Sequence, residues 1–444
     1  MDAFIIDGGT PLSGEITNSG AKNVALKTFV ASLLTDDAIR IHNIPRITDV
    51  FYMLEVLESI GIRSQFKDHT VDIDKRNGSS TTVPLDVGAR LRTSSMVIGP
   101  MLARYGEAQI PNPGGCRIGA RPIDRHIAAL RSMGAHITYN SRDGFYHAKA
   151  KILHGTHVLF PKNTHTGTET IILAAVLAQG TTVIENAAQE VEVDDLIRFL
   201  VTMGAKIQRT NERTIVIEGV KKLYGTEYTI MSDRNEEVTF AIAAAVTHGD
   251  ITVNKSQKTG LDAFRDAFRN AGGIADERDG SVTRYRVGKK VRPTDVVTGP
   301  HPGFMTDWQA PWAVLMTQAH GVSTIHETVF ESRFSYVREL LKMGANITFF
   351  EPDVDNPQSL YNFNLSDKKR GDHQAIRIEG PRTLHNAVVV IDDLRAGATL
   401  ILAALCATGE SYIYGIEQVE RGYENIEVRL GALGARIRRI KDEI

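Results

Sequence analysis

Lys22, Arg92, Thr164, Arg234, Asp307 and Arg395 follow one another at steps of 70, 72, 70, 73 and 88 residues, each beside the start of a helix-forming stretch. A helix N-terminus presents unpaired N–H groups and a partial positive charge, so it attracts anions. Lys22, Arg92 and Arg395 add full positive charge at these openings, and Asp307 is the acidic member. Equivalent places in a repeat bring these groups toward one region. Cations around a single carboxylate point to a doubly anionic substrate and a general base.

A second stretch also carries chemistry. "PNPGGCRIGARPID" at 111–124 holds Cys116, one of only two cysteines in the chain. Gly114, Gly115 and Gly119 make the stretch too pliant for a helix or a central strand. Arg121, close by, favours the thiolate form. Cys406 lies in the apolar run "ILAALCATG" and reads as an inert, packed thiol.

The elements that must hold these groups come from an internal repeat. "LRSMGAHI", "LVTMGAKI", "LLKMGANI" and "LGALGARI" share one pattern, with looser copies at "LESIGIRS" and "FRNAGGIA". Their glycines, Gly61, Gly134, Gly204, Gly272, Gly344 and Gly434, stand 73, 70, 68, 72 and 90 residues apart. Each copy reads as a helix end, a glycine just past it, then a strand. In step with it runs an Ala-rich helix followed by an alternating strand, as in "TIILAAVLAQGTTVIEN". Six such units exceed one core and divide as three and three. The widest step holds a polar, turn-rich stretch at 351–373, which reads as a surface insertion.

Composition narrows the function. Across 444 residues, 51 Lys and Arg against 53 Asp and Glu leave a formal charge of −2, with no general pull toward nucleic acid or an anionic membrane. Two cysteines build no disulfide framework. The start "MDAFIIDGGTPLSGE" has no secretory pattern, and the longest apolar runs are too short to span a bilayer. The fourteen histidines form no metal-ligand motif. These features lead us to expect a soluble, cytoplasmic protein, and no motif among them calls for a metal, a cofactor or an obligate protein partner.

Seven pieces in register resemble the enolpyruvyl transferase family: "SGAKN" (19–23), "PGGCRIGARPID" (113–124), "ENAAQEVEVDD" (185–195), "TDWQ" (306–309), "ETVFESRF" (327–334), "DLRAG" (393–397) and "ERGYENIE" (420–427). The resemblance implies an α/β fold of two inside-out barrel domains, each of three βαβαββ repeats. One domain would span 22–229 and carry the Cys116 loop; the other would span 1–21 plus 230–444 and carry Asp307. The implied reaction moves the enolpyruvyl group of phosphoenolpyruvate onto the 3′-hydroxyl of UDP-N-acetylglucosamine, releases phosphate and begins peptidoglycan precursor synthesis. By resemblance, Lys22, Arg92, Arg121 and Arg421 hold the phosphate, while Arg333, Arg395 and Arg421 hold the carboxylate. Asp307 is the implied base, and Cys116 the implied acid and target of fosfomycin. Asn23, Thr164 and Arg234 complete the implied binding set. Two stretches depart from the usual pattern: Thr-His-Thr-Gly at 164–167 and "SDRNEE" at 232–237. Both fall where the nucleotide sugar is expected, so a different acceptor, or a non-catalytic binding protein, stays open at this point.

Overall fold

The computed structural model describes residues 2–75, 80–114 and 119–441. The chain divides into two compact units, one of Gly20–Cys116 with Pro122–Met231, the other of Met1–Ser19, Arg117–Arg121 and Ser232–Ile444. The first of these is inserted in the sequence of the second.

The repeated motif has a direct structural meaning. All six of its glycines have φ between +89° and +100°, a region costly for any residue with a Cβ. In the four clear copies the alanine after the glycine donates its N–H to the leucine that opens the motif: Ala135 to Leu130, Ala205 to Leu200, Ala345 to Leu340 and Ala435 to Leu430. That bond satisfies a carbonyl at the helix end and turns the chain into the next strand. The spacing of leucine, glycine and alanine is therefore the spacing of a helix terminator.

Among the described residues, each unit holds three sheets. Five of the six are four-stranded, with one parallel pair and two antiparallel pairs. The sixth has three strands, Glu107–Pro111, Phe145–Lys149 and His136–Asn140, and the Thr82–Gln109 bridge stands where its parallel partner would run. Among the described residues no strand pairing joins one sheet to the next, so the sheets surround each core as separate panels and do not close hydrogen bond by hydrogen bond.

Inside the panels lie the Ala-rich helices. Every residue of the Arg234–Val246 helix is buried, as are all but the last of Leu394–Cys406 and all but Asp307 of Thr306–Thr317. Helices apolar on all sides belong in an interior, and alanine lets them approach closely. In the inserted unit, Lys22–Ala31 and His165–Ala175 take the same central place. The architecture is thus two units of three repeats with helices inside and sheets outside. The polar stretch at 351–373 carries a short helix, Pro357–Leu360, and a turn, Leu365–Asp367. Residues 355–360 are exposed, but Tyr361 and Phe363 are buried, so the stretch is anchored rather than wholly at the surface. No helix among the described residues is long and apolar enough to cross a membrane.

Candidate active site

Asp307 is the second residue of the Thr306–Thr317 helix. Its neighbour Thr306 donates from Oγ1 to Oε2 of Glu327 at 2.9 Å. Glu327 is fully buried, and burial pushes its carboxyl up from the ordinary glutamate value. Its other oxygen accepts from the N–H groups of Val329 (2.8 Å) and Phe330 (3.1 Å). One buried carboxyl therefore ties the helix start to a tight turn, and that turn delivers Arg333.

Arg333 donates from Nη2 to Asp307 Oδ1 at 2.6 Å. Its course is fixed from behind: Gln309 Nε2 donates to the Arg333 carbonyl at 3.2 Å, and Tyr336 Oη donates to Gln309 Oε1 at 2.8 Å. Arg395, second in its own inner helix, reaches the other oxygen of Asp307 at 3.5 Å. Its Nη1 donates to Tyr423 Oη at 3.0 Å, and that hydroxyl also lies 2.8 Å from Thr239 Oγ1. Burial alone would push Arg395 down, but Tyr423, Asp307 and Asp233 outweigh it and hold the guanidinium above its ordinary value. The side chains of Arg333 and Arg395 are 4% and 10% exposed and that of Asp307 is 24% exposed. The carboxylate is thus the part of this cluster that solvent, or a substrate, can reach.

Other expected residues have different surroundings. Arg121 adopts φ +46° and lies with its guanidinium 5.6 Å from the Phe330 ring centre, while Arg333 sits 5.8 Å from the same ring. Arg421 follows the Glu417–Glu420 turn and donates to Gln418 Oε1 at 3.4 Å. Arg234 opens its helix, yet its side chain turns inward. It is completely buried, donates to the Gly260 carbonyl at 2.7 Å and lies beneath Trp308. Trp308 is 1% exposed and donates to Asn235 Oδ1 at 2.9 Å, so it is a core residue.

In the inserted unit, Lys22 is the first residue of the Lys22–Ala31 helix and Asn23 the second. Lys22 Nζ lies 2.5 Å from Oδ2 of the buried Asp49. Arg92 starts the turn Arg92–Val97 and donates to the Pro122 carbonyl at 3.3 Å. Thr164 caps the His165–Ala175 helix by accepting from the Gly167 N–H. Just inside, His165 pairs with Glu169 at 3.1 Å, and Lys27 reaches the other oxygen of Glu169 at 3.3 Å. Burial pushes the His165 imidazole down, but Glu169 outweighs it and holds the ring above the ordinary histidine value. His126, bonded to Thr166 Oγ1 at 2.9 Å, goes the other way. Burial first, then Arg92 and Arg125, lower it to about 3.

Cys116 lies outside the described residues. Cys406 is half-buried at the end of its helix, its S–H directed at the Ala403 carbonyl, and burial of the sulfur pushes the thiol up to about 12. No group of three or more His, Cys, Asp or Glu among the described residues could hold a metal ion. Sequence reasoning missed Glu327, Glu331, Tyr423 and Asp49. "ETVFESRF" contains the first two, but only Arg333 carried a charge that invited a role.

Two units of three repeats, with charged residues opening the inner helices and a partly exposed carboxylate faced by two arginines, define a six-repeat α/β protein with a charged candidate active site. Comparison with known proteins makes the class specific. The chain belongs to the EPSP synthase (3-phosphoshikimate 1-carboxyvinyltransferase) family, whose sequence model matches residues 6–430, and it is an enzyme of that carboxyvinyl-transferring group. It is 43% identical over 441 residues to the UDP-N-acetylglucosamine 1-carboxyvinyltransferase of Magnetococcus marinus, covering 99% of this chain and 100% of that one. It is 40% identical over 442 residues to the protein of the same name from Solibacter usitatus, with the same coverage. Its fold is similar to the enolpyruvyl transferase NikO from Streptomyces tendae, with a TM-score of 0.86 at 23% identity and 99% of both chains covered. The EPSP synthase of Acinetobacter baumannii also shares the fold, with a TM-score of 0.74 at 18% identity over 99% of this chain and 100% of that one.

Proposed function

We propose that the chain transfers the 1-carboxyvinyl group of phosphoenolpyruvate to the 3′-hydroxyl of UDP-N-acetylglucosamine and releases inorganic phosphate. The carrying observation is Asp307, a partly exposed carboxylate held between Arg333 and Arg395. The names of the two full-length relatives support the choice of acceptor.

The chemistry asks for three things. First, the acceptor O–H must lose its proton as its oxygen bonds to C2 of phosphoenolpyruvate, and Asp307 takes that proton. Asp307 is engaged by two guanidinium groups. The carboxylate of phosphoenolpyruvate binds the same arginines while Asp307 keeps its contact with Arg333. Second, C3 must gain a proton as the double bond is spent, and Cys116 supplies it in this reading. Third, the tetrahedral adduct loses a C3 proton and expels phosphate, restoring the double bond on the acceptor. Lys22, Arg92, Arg121 and Arg421 neutralise the phosphate as it leaves. Asn23, Thr164 and Arg234 serve the acceptor side, Arg234 through the packing it holds beneath Trp308.

On this reading the enzyme works in the cytoplasm, its product feeds peptidoglycan assembly, and fosfomycin alkylates Cys116. The test is phosphate release from phosphoenolpyruvate across a panel of acceptors, with mass analysis of the product. UDP-N-acetylglucosamine is expected to gain a carboxyvinyl group. Turnover only with another sugar or nucleotide would replace the acceptor, and no turnover with any would remove the activity.

A further inference from the structure

The turn that carries Arg333 is gripped from outside the inner helices. The polar stretch that interrupts the repeat supplies the grip. Its outer part, 355–360, is exposed and makes no such grip, but Tyr361 and Phe363 turn inward at 8% and 6% exposure with ring centres 5.1 Å apart. Between them, the Asn362 N–H donates to the Thr328 carbonyl at 2.8 Å. Tyr361 Oη meets His326 Nε2 at 3.1 Å.

Where the stretch ends, Gln374 makes two more bonds to the same turn. Its carbonyl accepts from the Glu327 N–H at 2.7 Å, and its Nε2 donates to the Glu331 carbonyl at 2.8 Å. Gln374 is fully buried. Main-chain groups at 327, 328 and 331 are thus held at three points, two residues short of Arg333. A segment that only filled space at a sheet edge would need apolar contact alone. Directed bonds to main-chain groups instead fix the path of the turn, and buried ones are costly to lose.

We propose that residues 361–374 are a positioning brace for the Arg333–Asp307 pair, acting through the bonds of Tyr361, Asn362 and Gln374 to residues 326–331. The proposal rests on the reading of Asp307 as the base. The brace sets how closely Arg333 meets Asp307, so loosening it changes the proton affinity of that carboxylate and the rate of proton removal, while acceptor binding is left alone.

The test uses the full chain with Gln374→Met, which keeps volume and removes the bond to Glu331. A milder second variant, Tyr361→Phe, removes only the hydroxyl. Rates are measured from low to neutral pH together with thermal unfolding. Gln374→Met is expected to lower kcat about tenfold and move the acid limb of the kcat profile to higher pH, because a carboxylate that loses a cationic partner holds its proton more strongly. Tyr361→Phe should move both the same way, about twofold in rate. KM for UDP-N-acetylglucosamine should not change. Should Gln374→Met fail to fold, Tyr361→Phe carries the test alone. Variants that unfold earlier yet keep the wild-type kcat and acid limb overturn the brace. Asp307→Asn, run alongside, separates the two readings: turnover surviving in it removes the base assignment, whereas a silent Asp307→Asn beside an unaltered Gln374→Met removes only the brace.

Discussion

Arg333 and Asp307 are 26 residues apart in sequence and 2.6 Å apart in space, the guanidinium sealed from solvent and the carboxylate open to it. Asp307→Asn keeps the shape of the side chain and removes its ability to accept a proton. Turnover should fall by about 10²–10⁴-fold. Calorimetric titration should find acceptor binding within a few-fold of the parent. A variant that turns over at the native rate would rule Asp307 out as the base.

Tyr423 sits under Arg395, and its hydroxyl is shared by Arg395 Nη1 and Thr239 Oγ1. Tyr423→Phe leaves two buried polar groups short of a partner, which should cost about 1–3 kcal/mol of stability. Urea unfolding gives the number. Because Thr239 depends on the same hydroxyl, Thr239→Val in the Tyr423→Phe background should cost less than it does alone. Simple additivity would mean that the three groups do not form one network.

His126 offers a stability readout with a defined sign. Its folded-state pKa is depressed to about 3, so the folded protein keeps the ring neutral while the unfolded chain binds a proton below the ordinary histidine value. Its stabilising effect is complete at neutral pH and is lost as pH falls from about 6.5 toward 3, by roughly 2 kcal/mol between pH 7 and pH 5. Denaturant midpoints across that range should fall less steeply for His126→Gln than for the parent. Parallel slopes would show that the ring titrates normally.

Gly119 has φ +143°, and a Cβ there would lie 2.5 Å from the carboxylate of Glu331. That carboxylate also accepts the Ala120 N–H at 2.5 Å. Gly119→Ala should therefore displace residues 119–121, Arg121 included, and lower turnover at least about tenfold. Adding Glu331→Ala should restore part of the loss by removing the clash, though not the strain in φ. No recovery in the double variant would assign the whole effect to the backbone.

The helix ends were legible because their cause is local. A leucine, a glycine that can take positive φ and an alanine four and five residues on suffice to end a helix, and six copies announce themselves. The charged helix openings were legible for the same reason. What those side chains do was less so. Arg234 and Arg395 open equivalent helices, yet one turns into the core toward Gly260 and the other faces Asp307. Partners such as Tyr423 and Thr239, 184 residues apart, leave no trace in any short window. Burial also reverses expectations of residue type: Glu327 looks like a surface charge in the sequence and is a sealed fastening in the fold. The stretch at 351–373 reads as polar because most of it is, and its two buried aromatic side chains are too few to alter that pattern.

The strand Ala3–Asp7 runs antiparallel between Glu410–Tyr414 and Arg436–Ile440. Ser13–Thr17 pairs with Asp250–Asn254. On the ribosome, then, Ala3–Asp7 must wait for nearly the whole of this chain, and Ser13–Thr17 for more than half of it, before their partners emerge. Every sheet of the inserted unit, by contrast, has all its strands by residue 231. Synthesis order thus makes the inserted unit the early folder and leaves Ala3–Asp7 unpaired longest. Nascent chains arrested near residue 400 should already protect the inserted unit from protease while residues 3–7 are still cut, so a strand made before the inserted unit is paired long after it.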